Sequence, residues 1–137
     1  MTRTKNIIIL FLCTICITST TSYGQLNLST GYFKILIDKK GFITSMKNIT
    51  VKPFREFGIS DKPSPLLCLY NTTNKKYYEP RKAVFSGNKK ILSLYYSNGS
   101  VARVKIEEKS KYFKMTLQSL SNRSGIDGIQ WGPYHTN

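Results

Sequence analysis

Alternation at a period of two runs through most of this chain. In "GYFKILID", Phe33, Ile35 and Ile37 fall on one side and Lys34, Leu36 and Asp38 on the other, the spacing of a half-buried strand. "FITSMKNI" continues after "DKKG", a tight turn in which Gly41 is free to take positive φ, so the two runs predict a hairpin. "KYFKMTLQSLSN" alternates again, with Phe113, Met115 and Leu117 opposed to Tyr112, Lys114, Thr116 and Gln118. "KKILSLYYSNGSVARVKIEE" predicts another hairpin, with Asn98-Gly99 as a two-residue type I′ turn. "LLCLYN" is an apolar run that reads as a short buried strand, with Cys68 as a small hydrophobe in it. "KKYYEPRKAVFSG" predicts a strand pair or one irregular edge, broken at Pro80. "TVKPFREFGISDKPSP" carries Pro53, Pro63 and Pro65 and reads as a long surface connection ordered by Phe54 and Phe57. No stretch holds a helical 3.6-residue stripe behind an N-cap. The expected class is all-β: an antiparallel β-sandwich or open sheet over residues 26–137, with no substantial helix outside the leader and no repeat or second domain.

The first 25 residues differ in kind. Arg3 and Lys5 precede the apolar run "IIILFLCTICI", and a small polar stretch ends at Ser22-Tyr23-Gly24. That is the layout of a secretory signal peptide, cleaved near Gly24 or Gln25. The run is too short to cross a bilayer, which needs about 20 apolar residues. Cys13 and Cys16 lack the setting of a lipoprotein cysteine. The expected location is secreted or periplasmic, with no membrane span after cleavage.

Cleavage would leave Cys68 as the one cysteine, so no internal disulfide is available and stability must come from apolar burial. It would also leave 19 of the 21 lysines and arginines against all seven acids, a formal charge of +12. The cations are scattered as doublets, Lys39-Lys40, Lys75-Lys76, Arg81-Lys82 and Lys89-Lys90, at or near predicted turns, with no run of five like charges. A solvated basic surface accounts for this better than a polyanion site, and export argues against a nucleic-acid partner.

Chemistry-bearing motifs are sparse. One histidine, His135, and one mature cysteine do not make a zinc site, no Asp-x-Asp calcium loop occurs, and no Gly-rich loop leads into a helix. No cofactor, metal or catalytic residue is therefore expected. Glu107 and Glu108 are neighbours on a strand and point to opposite faces, so they cannot form a glycosidase carboxylate pair with each other. Asn27, Asn48, Asn71, Asn98 and Asn122 each begin an Asn-x-Ser/Thr sequon. Tyrosines are numerous, which strand propensity alone can explain. In Tyr77-Tyr78 and Tyr95-Tyr96 the two faces must be shared, so one member of each pair belongs in the core.

Two passages resemble a known kind of domain. "FKILIDKKGFITSMKN" resembles the opening hairpin, and "YFKMTLQSLSNRSGIDGIQWGPY" the later strand, turn and Trp-Gly-Pro passage, of the N-terminal galactose-mutarotase-like β-sandwich of secreted bacterial glycoside hydrolases. The resemblance implies a supersandwich-like scaffold that supports a catalytic (β/α) barrel and carries no acid or nucleophile of its own. It also implies that this chain is a partial domain, cut short at its C-terminal end. The implied partner is the barrel of a longer parent, or a polysaccharide. The alternative is a free-standing secreted module that binds carbohydrate or a polyanion. Flat aromatics bind the apolar faces of sugar rings, so Trp131, Tyr134 and His135 in "WGPYHTN" are the candidate carbohydrate contacts.

Overall fold

The computed structural model describes residues 24–58 and 61–136. The signal-peptide reading lies outside them. Twelve strands follow one another: β1 (Leu26–Ser29), β2 (Phe33–Ile37), β3 (Phe42–Asn48), β4 (Arg55–Glu56), β5 (Ser64–Pro65), β6 (Leu67–Asn71), β7 (Lys76–Tyr78), β8 (Pro80–Ser86), β9 (Ile91–Tyr96), β10 (Val101–Glu108), β11 (Phe113–Ser121) and β12 (Gly128–Trp131). Every pairing is antiparallel, and no helix occurs among the described residues. The all-β reading holds. Also among these residues, no helix is long and apolar enough to cross a membrane.

The strands form three sheets around one core. The first has the order β1-β2-β3-β4, with β5 also on β3; the second is β11-β10-β9-β8; the third is β12-β6-β7. The first sheet contributes Leu28, Ile35, Ile37 and Ile43. The second contributes Leu92, Leu94, Tyr96, Ala102, Val104 and Ile106, and the third Leu67 and Leu69. These inward residues are the alternate positions of their strands, as period-two burial requires. β6 is the exception. Leu67, Cys68 and Leu69 are all at most 1% exposed, so both faces of this strand are covered and its sequence shows no alternation.

Two devices tie the sheets together. Tyr96, the core member of its pair, donates its hydroxyl to the Leu67 carbonyl at 3.0 Å, joining the second and third sheets. The Asp38–Gly41 turn is the other. Asp38 Oδ1 accepts the backbone N–H groups of Lys40, Gly41 and Phe42, each at 2.9 Å. Gly41 takes φ +97°, as the turn requires. The turn is not a free hairpin tip: the Gly41 carbonyl accepts Leu66 N–H at 3.0 Å and the Lys39 carbonyl accepts Ala83 N–H at 2.8 Å.

Four local expectations need correction. The Asn98-Gly99 hairpin forms where expected, but with three loop residues. Gly99 N–H donates to Tyr96 O at 3.1 Å, Tyr96 N–H donates to Ser100 O at 3.0 Å, and only Gly99 has positive φ (+80°). That is a type I turn closed by a glycine bulge, not type I′. Asn98 instead uses its side chain, accepting Ser100 N–H at 3.1 Å. The "connection" over 50–65 contains β4 and β5, both paired to β3. Of its two aromatics, Phe57 stacks near Phe33 (centroids 6.5 Å apart) while Phe54 stays exposed. Arg81-Lys82 lies within β8 rather than at a turn, exposed on that strand.

Several sequon asparagines serve turns. Asn48 accepts Thr50 N–H, Asn71 accepts Asn74 N–H, and Asn122 donates to Gly99 O at 2.8 Å. The asparagine-rich composition is thereby accounted for as turn chemistry.

Candidate functional site: an aromatic cleft beside the edge strand

β11 ends the second sheet, and its inward side chains are incompletely covered. On its neighbour β10, Ala102, Val104 and Ile106 are at most 2% exposed. On β11, the facing Phe113, Met115, Leu117 and Leu120 pack against the same core yet stay only partly buried. Beyond them lies an open cleft of about 490 Å³. One wall is Phe33, Ile35, Ile43 and Met46 from the first sheet, another is Tyr112, Phe113 and Met115, and Leu66, Trp131 and Tyr134 complete it. Every one of these side chains is aliphatic, aromatic or a thioether, with the Tyr112 and Tyr134 hydroxyls and the Trp131 indole N–H as the polar exceptions.

Trp131 closes β12, paired with Leu67, and keeps 37% of its surface exposed. Gly132 then takes φ +85°, and the chain curls so tightly that a Cβ there would stand 2.7 Å from the Tyr134 nitrogen. A side chain at 132 is excluded on both counts. The curl returns Tyr134 to the cleft. It stays partly exposed there, while its hydroxyl donates to Leu66 O at 3.3 Å and burial pushes its pKa up. Two of the three expected contacts, Trp131 and Tyr134, therefore share one cleft. His135 does not line it: its backbone N–H donates to Ser64 Oγ at 2.7 Å. Phe33, Tyr112 and Met46, which are not among the expected contacts, do line it. Their approach depends on the packing of separate sheets, for which local sequence carries no signal.

The titratable groups elsewhere are structural. Burial, reinforced by the charge of Glu79, pushes the Cys68 thiol up to about 11, so it is protonated and inert at neutral pH. Glu108 accepts Ser29 N–H at 3.1 Å, Glu107 pairs with Lys109 at 3.3 Å, and Asp127 accepts the N–H and hydroxyl of Thr72. Among the described residues, no three His, Cys, Asp or Glu side chains are grouped as metal ligands would be.

Glu56 is the most engaged carboxylate. It accepts Ser45 Oγ and Met46 N–H, both at 2.7 Å, and Gly58 N–H at 3.1 Å, with Lys47 Nζ at 3.6 Å. Burial alone would raise its pKa. The hydrogen bonds from Ser45, Met46 and Gly58 and the charge of Lys47 outweigh that and hold it below the ordinary value. A lowered folded-state pKa gives stability that is present above the ordinary carboxylate range and is lost as pH falls through the folded value. The stability gap between wild type and Glu56→Gln should therefore be widest at neutral pH and narrow from roughly pH 5 downward. Urea midpoints at several pH values check this; a gap independent of pH would show that the charge of Glu56 is irrelevant.

Comparison with protein-family models, with curated proteins and with solved structures finds no match for this chain.

Proposed function

We propose that this chain is a non-catalytic β-sandwich module of a secreted carbohydrate-active enzyme, a scaffold that packs against a (β/α) catalytic barrel. The observation that carries the scaffold role is the cleft at Trp131. It is roomy, open and lined almost entirely by apolar side chains. A sugar site needs flat aromatics together with polar groups placed to take hydroxyls. A protein-docking face needs aromatic anchors in an apolar patch. The cleft has the second composition. The carboxylates also support the reading: Asp38, Glu56, Glu108 and Asp127 accept backbone N–H groups, Glu107 pairs with Lys109 at the surface, and none of these five lines the cleft. The enzyme context and the export signal rest on the two resembling passages and on the leader's layout, and the alternative of a free carbohydrate- or polyanion-binding module is the competitor to be tested.

The test is to recover the native protein from culture medium with an antibody raised against this chain. The expected result is a mature N-terminus near Gln25 and a (β/α) barrel with glycosidase activity, either in the same polypeptide or held tightly to it. The chain expressed by itself should not hydrolyse chromogenic glycosides. Recovery of a free monomer that binds a glycan saturably would replace the scaffold reading with the binding-module one.

A further inference from the structure

The scaffold reading leaves open how the partner is held, and the strand edges around the cleft bear on that. β11 has nine residues, is the longest strand, and is unpaired on its outer side among the described residues. The other edges are short or blunted: β1 and β12 have four residues, β7 three, β4 two, and β8 begins at Pro80 with an irregular register, whereas β11 pairs regularly over Phe113–Leu117 before its own register shift opposite Arg103 and Val104. Proteins usually blunt a long edge because it presents a row of free backbone donors and acceptors. The edge of β11 also faces a second one. The cleft at Trp131 lies between the start of β11 and the end of β12, and a further cavity of about 410 Å³ lies between Leu117–Leu120 and Gly128-Ile129. Both open beside β11: the cleft at Trp131 is apolar, while the second cavity adds Gln118, Arg123 and Asp127 to Leu117, Leu120 and Ile129.

Resting on the scaffold reading, we propose that the outer edge of β11 receives one extended strand of the partner protein, paired antiparallel to it, with large apolar side chains pointing into the cleft and acidic ones pointing outward. The antiparallel sense follows every other pairing in the fold. The alternation follows from β11 itself, where Phe113, Met115 and Leu117 face in and Lys114 and Thr116 face out. The acidic preference follows from charge. Arg103, Lys105 and Lys114 lie on the outer face of β10 and β11, and the one acid among them, Glu107, pairs with Lys109 and stands across from Lys114, which leaves three cations to one acid on this face. A second copy of this chain fits poorly, because edge-to-edge pairing would join two mature bodies of formal charge +12 each.

The test uses the full chain and a nine-residue synthetic peptide alternating Val or Leu with Glu and Thr. Its twins carry Lys in place of Glu, or N-methyl groups on alternate residues in either phase. Binding is read from Trp131 emission and from amide-exchange protection. The Glu peptide should bind, protect amides of 113–121, and bind about tenfold more tightly than the Lys peptide. Lys114→Glu should reverse that order. At least one N-methyl phase should abolish binding. Binding indifferent to both N-methyl phases, protection confined to other strands, or no peptide binding would overturn strand addition. None of these outcomes involves a glycan, so the scaffold reading itself would fail separately, on sugar binding at Trp131.

Discussion

Replacing Gly41 with alanine should destabilise the fold by about 3 kcal/mol, the combined scale of a left-handed backbone strain and an overpacked core. Gly41 sits at φ +97°, which an L side chain resists. The added methyl would also stand 2.7 Å from Leu94 Cδ2 and 3.3 Å from Pro80. Leu94 is fully buried, so it has nowhere to retreat. The turn cannot shift away either, because its carbonyls hold Leu66 and Ala83. Gly87→Ala is the internal control. No atom lies within 4 Å of a Cβ there and the backbone is not left-handed, so its effect should stay within about 0.5 kcal/mol. Urea unfolding of both variants checks the contrast; equal, small effects would show that the turn is not braced against the core.

Leu94→Ala should cost about 2–5 kcal/mol, because a fully buried leucine leaves both lost transfer energy and a cavity. For a domain whose whole stability is on the order of 5–15 kcal/mol, that is a large fraction. The informative result is the double variant. Truncating Leu94 removes the Cδ2 atom that the methyl introduced by Gly41→Ala would strike. Gly41→Ala/Leu94→Ala should therefore cost less than the sum of the two single changes, by about 1 kcal/mol. Strict additivity would place the cost of Gly41→Ala in the backbone and the Pro80 contact rather than in the clash with Leu94.

What was legible in the sequence follows from distance along the chain. Strand alternation is local, so β2, β3, β9, β10 and β11 were visible, as was the burial of "LLCLY". Asp38 and Gly41 were visible as turn formers because a turn is made by its own four residues. The Asn98-Gly99 turn was placed correctly and typed incorrectly, since loop length depends on how the flanking strands pair. The Glu56 clamp was invisible: its partners Ser45 and Met46 are 11 and 10 residues away, across a proline-broken stretch. The cleft was half visible. "QWGPY" announced Trp131 and Tyr134 by composition, but the walls from Phe33, Met46 and Tyr112 exist only because separate sheets meet there. His135 drew notice by its residue type and its nearness to Trp131 in sequence, and the curl at Gly132 puts it elsewhere.

The central claim, that the Trp131 cleft is an apolar docking face rather than a sugar site, can be read from one fluorophore, since Trp131 is the only tryptophan. Its emission should be red-shifted and open to quenching. Iodide should quench it well, aided by the basic surface, and neutral acrylamide should quench it too. Neutral oligosaccharides should leave its emission almost unchanged. A blue-shifted, quencher-resistant Trp131, or a saturable response to one glycan that is lost in Trp131→Ala while the fold persists, would contradict the account.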